Sequence, residues 1–339
     1  MVKILTMYGK KETSHMDIII NPTNRCNFAC QFCAAANLNI GDITSKDAIK
    51  LIEPYSKHLG QIIINGGDPL MMKPDFYFDL LKYINTLDHY VTISLTTNLW
   101  DFYQQPYKWE ELFKEKQIGV IGSFQYGTKR RLKDSRIFSE QMFRNCVNMF
   151  EYVIGYKPNF ISVIDYENER LCKVTLELAK ALGIKCKMNK VVISGRNSDY
   201  YPRYRMFEKY IELYKEGLGE YEMNHDLLKN YFNHLPTYCP IDRSCYTKLR
   251  VINPNGSMST CSYTAEEHIS DYNLRYNPVN KIAKDYNTIT DKCLSCENCN
   301  LCNSCRVYIK EVKDNKDETN YCANMKKIIP QLREVVCNG

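Results

Sequence analysis

The chain has 339 residues, a net charge of +6 and an ordinary globular composition, with 44% hydrophobic and 25% charged residues. No run of about 18 apolar residues is long enough to span a membrane, and residues 1–20 carry no secretory signal, so we expect a cytoplasmic protein of about two domains. No nucleic-acid motif is present, and we interpret the basic run Lys129-Arg130-Arg131 as a solvated face. The 16 cysteines are unusual, because cysteine clusters inside a reducing cell usually serve metal binding or catalysis.

Six strand–helix units follow one another in the first part of the chain. Short apolar runs predict the strands, and helical periodicity predicts the segments between them. Consecutive units of this kind imply a parallel α/β sheet with right-handed crossovers, open or curved into a barrel, with a site at the carboxyl ends of the strands. The predicted strands are 17–21, 61–65, 90–96, 118–123, 160–164 and 186–193. The predicted helices are 45–59, 74–87, 109–116, 139–150, 171–182 and 203–216.

The cysteines divide the chain into two regions. Three lie within residues 26–33, directly after the first predicted strand, and nine lie within residues 239–322. We therefore expect one domain over residues 1–220 and a second, thiolate-based domain over residues 221–339, which includes a connecting helix and a C-terminal tail. The other four are interpreted as three small buried residues and one thiol of uncertain role in the tail: Cys146, Cys172, Cys186 and Cys337.

The cysteines at positions 26, 30 and 33 point to a metal centre. Thiolates are soft ligands that select iron–sulfur clusters, zinc or Cu(I). Three thiolates on a cubane cluster leave one iron open to a substrate or cofactor. The alternative is a structural zinc site completed by a ligand from elsewhere in the chain.

Polar segments follow the next three predicted strands. Gly66-Gly67-Asp68-Pro69 follows the second, Thr96-Thr97-Asn98 ends the third and Ser123 ends the fourth. Glycines let a backbone approach a ligand closely, and Asp68 offers a carboxylate to a cationic group. Because parallel strands end at one edge of the sheet, these segments are expected to meet the cysteine loop there.

These motifs, in this order, resemble the radical S-adenosylmethionine (radical SAM) superfamily over residues 17–197. The resemblance implies a partial (β/α)6 barrel in which Cys26, Cys30 and Cys33 hold a [4Fe–4S] cluster that chelates S-adenosylmethionine. It further implies an enzyme that cleaves this cofactor reductively to a 5′-deoxyadenosyl radical, which abstracts hydrogen from the substrate. No catalytic side chain is assigned from the sequence.

The same resemblance implies the residues that contact S-adenosylmethionine. Phe32 would pack near the adenine, the 66–69 turn would hold the methionine amino group, and Asn98 would lie near the ribose. Gln125 stands where the family usually has an acid, and 194–196 (Ser-Gly-Arg) resembles a segment that closes over the adenosine. The expected contacts are Phe32, Gly66, Gly67, Asp68, Pro69, Asn98, Ser123 and Arg136.

The C-terminal cysteines resemble the SPASM module, an extension of some radical SAM enzymes that carries auxiliary clusters. Asn255-Gly256 predicts a hairpin between strands at 248–253 and 257–262. The resemblance implies two auxiliary [4Fe–4S] clusters, three clusters in all. One would be held by Cys239, Cys245, Cys261 and Cys305, and the other by Cys293, Cys296, Cys302 and Cys322.

Two alternatives stay open for this region. Cys299 allows a shifted ligand frame for the second auxiliary cluster. Paired cysteines separated by two residues also suit zinc ribbons.

Three substrate classes fit such an enzyme. The first is a ribosomally made peptide or a protein that is crosslinked, epimerised or oxidised, with a separate leader-binding protein as a further partner. The second is a formylglycine-forming reaction like that of the anaerobic sulfatase maturases, and the third is oxidation of a small alcohol. In the sulfatase maturases, an Asp at the position of Ser262 acts as the base. In this chain the residue there is serine, which counts against the formylglycine-forming reaction and against the oxidation of a small alcohol. A reductant such as flavodoxin or ferredoxin would supply electrons.

Overall fold

The computed structural model describes residues 16–38, 40–241, 245–264, 293 and 295–338. Eight strands form one sheet: β1 Met16–Ile20, β2 Leu59–Ile64, β3 Thr92–Thr96, β4 Ile118–Ser123, β5 Phe160–Ile164, β6 Cys186–Lys190, β7 Leu249–Ile252 and β8 Met258–Ser259. The helices that alternate with the first six strands are α1 Ser45–Ile52, α2 Pro74–Ile84, α3 Trp100–Gln104, α4 Pro106–Phe113, α5 Glu140–Ile154 and α6 Cys172–Leu182. The later helices are α7 Arg203–Lys215, α8 Met223–Phe232, α9 Cys245–Lys248, α10 Cys299–Cys302, α11 Arg306–Asp314 and α12 Glu318–Asn338.

The sheet is a curled half-barrel with the strand order β6-β5-β4-β3-β2-β1-β7-β8. Strands β1 to β6 are parallel, as the alternating strand and helix patterns predict. Buried residues alternate with half-buried ones along β3 and β5, so one face of the sheet packs on helices and the other is more open. The predicted α/β class, with a partial barrel and a cysteine-rich C-terminal region, is confirmed.

The predicted C-terminal hairpin joins the main sheet. Strand β7 pairs in parallel with β1, Ile18 lying opposite Arg250, and β8 pairs antiparallel with β7. Helix α12 packs against α7 and α8, and its buried residues belong to the same hydrophobic core as the barrel strands. The two cysteine regions therefore share one core.

Three local differences from the sequence-based expectations have physical causes. The helix expected over 45–59 ends at Ile52 and continues as a 3-10 turn, with Pro54 in its first turn. Helix α4 begins at Pro106 instead of 109, because Gln105 leaves the helical region immediately before that proline. The strand expected over 186–193 ends at Lys190, whose side chain turns into the interface with α11.

No helix in the described part of the chain combines the length and hydrophobicity that a membrane span requires.

Candidate active site at the carboxyl ends of the strands

The loop that carries Cys26, Cys30 and Cys33 follows β1 and pairs with a segment that follows β4. Ala29 N donates to Arg131 O at 2.8 Å, and Gln31 N donates to Lys129 O at 2.9 Å. An antiparallel bridge joins Phe28 to Leu132. The loop is thus held by main-chain hydrogen bonds while its cysteine side chains remain available as ligands.

The glycine turn after β2 lies directly against the start of the cysteine loop. Gly67 N donates to Thr23 O at 2.9 Å, and Asp68 N donates to Arg25 O at 2.8 Å. A Cβ on Gly67 would come within 2.1 Å of Arg25 O, and Gly66 has a φ of +104°. Both positions therefore require glycine, and at Gly67 the close neighbour is the cysteine loop itself.

Asp68 connects the turn after β2 to the end of β3. Its side chain is only 2% exposed, and its carboxylate accepts hydrogen bonds from Leu70 N at 2.9 Å and Asn98 N at 2.8 Å. Thr97 Oγ1 donates to both carboxylate oxygens, at 3.0 and 3.1 Å. Burial raises the pKa of Asp68 to about 6, although these donors oppose the rise. The side chain expected to face the cofactor thus holds two loops together.

Asn98 extends this connection to the cysteine loop. Its Nδ2 donates to Asn27 Oδ1 at 2.6 Å and lies 3.8 Å from Cys26 Sγ. Its Oδ1 accepts from Trp100 N at 2.9 Å, at the start of α3. The segments after β1, β2 and β3 are therefore joined into one unit, as their position at one sheet edge predicts.

The side chain that contacts Ser123 is Arg130, which is not among the expected cofactor contacts. Arg130 is buried between the rings of Phe28 and Phe138, at 5.2 and 5.6 Å, and its Nη2 donates to Ser123 Oγ at 2.7 Å. Arg136 instead forms an ion pair with Asp134 and its side chain is 65% exposed.

The basic run at 129–131 is therefore not a solvated face. Lys129 Nζ lies 2.8 Å from Asp165, and Arg130 is almost inaccessible to solvent. Two of the three basic side chains are engaged by the carboxyl ends of β4 and β5. Sequence reasoning missed Arg130, because one of the two rings that enclose it, Phe28, comes from the distant loop after β1.

The segment after β6 closes on the cysteine loop from the other side. Arg196 N donates to Cys33 O at 3.0 Å, and Arg196 Nη1 donates to Cys30 O at 3.3 Å. A Cβ on Gly195 would come within 2.1 Å of Cys33 O. The predicted closing segment thus touches the cysteine loop.

The other expected cofactor contacts surround this unit. Phe32 is half-buried and packs against the core, while Pro69 is buried and its carbonyl accepts from Tyr77 Oη at 2.7 Å. Gln125 is buried after β4, and its Oε1 has no hydrogen-bond partner among the described residues. An acceptor without a partner at this sheet edge fits a site that receives a polar ligand.

The three thiols of the loop influence one another. Burial, followed by the negative charge of Asp68, raises the pKa of Cys26 to about 12, with smaller contributions from Cys30 and Cys33. Burial and the Cys30 thiolate also raise the pKa of Cys33. Three clustered soft donors of this kind fit a cationic iron–sulfur core, which would stabilise their thiolate forms.

The electrostatic interactions among the C-terminal cysteines fall into two groups. Cys239 interacts electrostatically with Cys305 and Cys245. Burial raises the pKa of Cys261 well above its ordinary value, and Cys305 and Cys239 add to the rise. These four cysteines are the ones that the sequence resemblance implies as ligands of one auxiliary cluster.

Cys302 defines the second group. Burial raises its pKa to about 12, Arg203 opposes the rise, and Cys293, Cys322 and Cys296 add to it. These are the four residues expected for the other auxiliary cluster. The sulfur of Cys299 accepts a hydrogen bond from Asn303 Nδ2 at 3.5 Å.

The remaining cysteines lie apart from these groups. Cys146, Cys172 and Cys186 are buried in the hydrophobic core, and Cys337 is exposed on α12. In the described ranges, no three or more His, Cys, Asp or Glu side chains are arranged to hold a single metal ion. Each thiolate of a [4Fe–4S] cluster binds its own iron, so the fit to a cluster depends on the donor chemistry and its grouping.

Comparisons with known proteins agree with this geometry. The profile of the Radical SAM superfamily matches residues 20–179. No curated protein matches the chain. Among solved structures, native anSMEcpe with bound AdoMet is 15% identical, with a TM-score of 0.69 over 96% of this chain and 100% of that chain.

A second similar structure is SuiB of Streptococcus suis bound to the precursor peptide SuiA. It is 18% identical, with a TM-score of 0.61 over 92% of this chain and 76% of that chain. At these identities the likeness establishes the fold. The family match covers residues 20–179, and over that range the chain is similar to the radical SAM superfamily.

Proposed function

We propose that this protein is a radical SAM enzyme that modifies a peptide or protein substrate with the help of two auxiliary iron–sulfur clusters. The observation that carries the proposal is the joining of the cysteine loop, the glycine turn and Asn98 into one unit at the sheet edge. The grouping of eight C-terminal cysteines into two sets of four supports the auxiliary clusters.

Each side chain of the unit has a defined part in this proposal. Cys26, Cys30 and Cys33 would hold the [4Fe–4S] cluster, and the main chain of Gly66 and Gly67 would receive the methionine end of S-adenosylmethionine. Asp68 and Asn98 position these loops. When bound, the cluster and cofactor supply one-electron chemistry that removes a hydrogen atom from an unactivated carbon, and the surrounding half-barrel orients the substrate.

The peptide class is favoured by two observations. SuiB, which shares the fold over most of this chain, was solved with a precursor peptide, and anSMEcpe was also solved with the Kp18Cys peptide. Ser262 lies directly after Cys261 at the end of the hairpin, where a carboxylate base would be needed for formylglycine or alcohol oxidation. Ser262 Oγ is buried and has no hydrogen-bond partner among the described residues.

The central test is formation of 5′-deoxyadenosine by the anaerobically reconstituted protein. We expect Cys30→Ala to abolish it, because Cys30 is one of three thiolates that would hold the cluster. Cys337→Ser is the matched control, since that cysteine is exposed at the C-terminal end of α12 and should leave formation unchanged. Equal rates for wild type and Cys30→Ala, measured by liquid chromatography, would refute the radical SAM activity.

The substrate class has a separate test. Mass spectrometry of candidate peptides incubated with the enzyme would show a loss of about 2 Da for crosslinking or oxidation, and deuterium incorporation from solvent without other change for epimerisation. Activity on small alcohols and none on peptides would overturn the peptide assignment while leaving the cofactor chemistry intact.

A further inference from the structure

Arg203 is a buried cation at the start of α7. Only 4% of it is exposed, and its guanidinium lies over the rings of Phe207 and Tyr308, at 4.8 and 5.4 Å. Among the described residues it forms no ion pair. Burying a guanidinium without a counter-charge is costly, so a negative group nearby would offset the cost.

The hydrogen bonds of Arg203 all lead to the C-terminal cysteine segments. Nη1 donates to Leu301 O at 2.8 Å and to Ser304 Oγ at 2.6 Å. Nη2 donates to Pro240 O at 3.4 Å, and Ser304 Oγ in turn donates to Pro240 O at 2.8 Å. These three partners are the chain neighbours of Cys302, Cys305 and Cys239.

The three cysteines next to these partners belong to different sets. Cys302 belongs to the second proposed auxiliary set, whereas Cys305 and Cys239 belong to the first. One side chain therefore ties both sets together through its hydrogen bonds. Another buried cation near Cys305, Lys190, is paired with the carboxylate of Glu311.

We propose that Arg203 is a positioning residue shared by the two auxiliary cysteine sets, and that its charge raises the reduction potential of the groups bound there. The inference rests on the proposed function, because it assumes that both sets hold iron–sulfur clusters. Reduction adds negative charge to a cluster, and a fixed cation in a buried site stabilises the reduced form. The same residue fixes the separation of the two sets, on which electron transfer between them depends.

The test is a redox titration of the reconstituted full-length protein, followed by electron paramagnetic resonance. We expect Arg203→Gln to lower the ratio of reduced to oxidised auxiliary clusters at a fixed potential by about tenfold, which corresponds to about 59 mV for a one-electron couple. Arg203→Lys keeps the charge and should keep the wild-type ratio. Arg205→Gln is the matched control on the same helix, because Arg205 is paired with Glu169 and partly exposed.

Iron content separates the possible failures. About 12 iron atoms per wild-type chain, four for each cluster, with an unchanged ratio in Arg203→Gln would overturn the role of Arg203 and leave the proposed function standing. About four iron atoms per wild-type chain would overturn the auxiliary clusters and this inference with them. If Arg203→Gln loses auxiliary iron, retention of that iron in Arg203→Lys supports the proposed role of the charge. Equal loss of iron in Arg203→Lys contradicts that role.

Discussion

The two cysteine regions are stabilised in different ways. The loop at 26–33 is compact in sequence and is held by main-chain hydrogen bonds to the segments after β4 and β6, with Gly67 and Gly195 in close contact. The C-terminal cysteines are spread over 239–322 and are connected through buried cationic side chains such as Arg203. The first region should therefore be sensitive to added volume, and the second to lost charge.

The sharpest test of this contrast is the substitution Gly67→Ala, which adds a methyl group to the glycine turn. We expect Gly67→Ala to lower 5′-deoxyadenosine formation at least tenfold, because its Cβ would lie 2.1 Å from Arg25 O and force the cysteine loop to move. Auxiliary iron should be retained. Gly119→Ala is the control, since a Cβ there meets no atom within 4 Å. Simultaneous loss of all iron from Gly67→Ala would show that the two regions are not independent.

Within the C-terminal region, Cys302 and Cys299 are expected to differ. Cys302→Ala should lose about four iron atoms per chain, because Cys302 interacts with Cys293, Cys296 and Cys322. Cys299→Ala should keep its iron, since Cys299 is not among the four cysteines proposed to hold that cluster. Iron analysis after anaerobic reconstitution measures both. The reverse pattern would establish the shifted ligand frame that the sequence leaves open.

A smaller effect is expected from the charge of Asp68. Its native pKa of about 6 lies above the ordinary value of 3.8, so the native state holds this proton more tightly than the unfolded chain. The stability that this tighter proton binding contributes is complete below about pH 4 and is lost as the pH rises through about 6. The corresponding change in the free energy of unfolding is roughly 3 kcal/mol. Asp68→Asn should remove this part of the pH dependence.

Urea unfolding in reducing buffer between about pH 4 and pH 7 measures that difference. Asp68→Asn will also lower stability at every pH, because an amide has one acceptor oxygen where the carboxylate has two. The comparison therefore concerns the slope with pH. Asp134→Asn, at an exposed carboxylate paired with Arg136, is the control and should retain the wild-type slope. Identical slopes for wild type and Asp68→Asn would show that the Asp68 pKa is not raised.

The parts of this molecule that sequence predicts are those encoded locally. Apolar runs and helical periodicity predict the six parallel strands, and the spacing within 26–33 predicts a cysteine loop after β1. Gly66 and Gly67 are recognisable in the sequence as a pair of glycines in a turn. The structure requires glycine at both positions, because of the backbone geometry and the close contact with the cysteine loop. Each of these signals lies within a few residues.

The parts that sequence does not predict depend on distant segments. Arg130 and Arg136 are equally basic in sequence, and only the rings of Phe28 and Phe138 decide that Arg130 is buried. Arg203 reads as an ordinary residue of an amphipathic helix, yet its partners lie near residues 240 and 301–304. No local sequence pattern indicates contacts between residues so far apart in the chain.

The pairing of β7 with β1 has a consequence for how the chain can be divided. Ile18 and Ile20 of β1 are fully buried, and β7 covers the hydrogen-bonding edge beside them. Cutting the chain before Leu249 would turn β1 into an exposed edge strand of apolar residues, a template for intermolecular pairing and aggregation. The barrel thus depends on the C-terminal region to cap its sheet, whatever is bound to the cysteines.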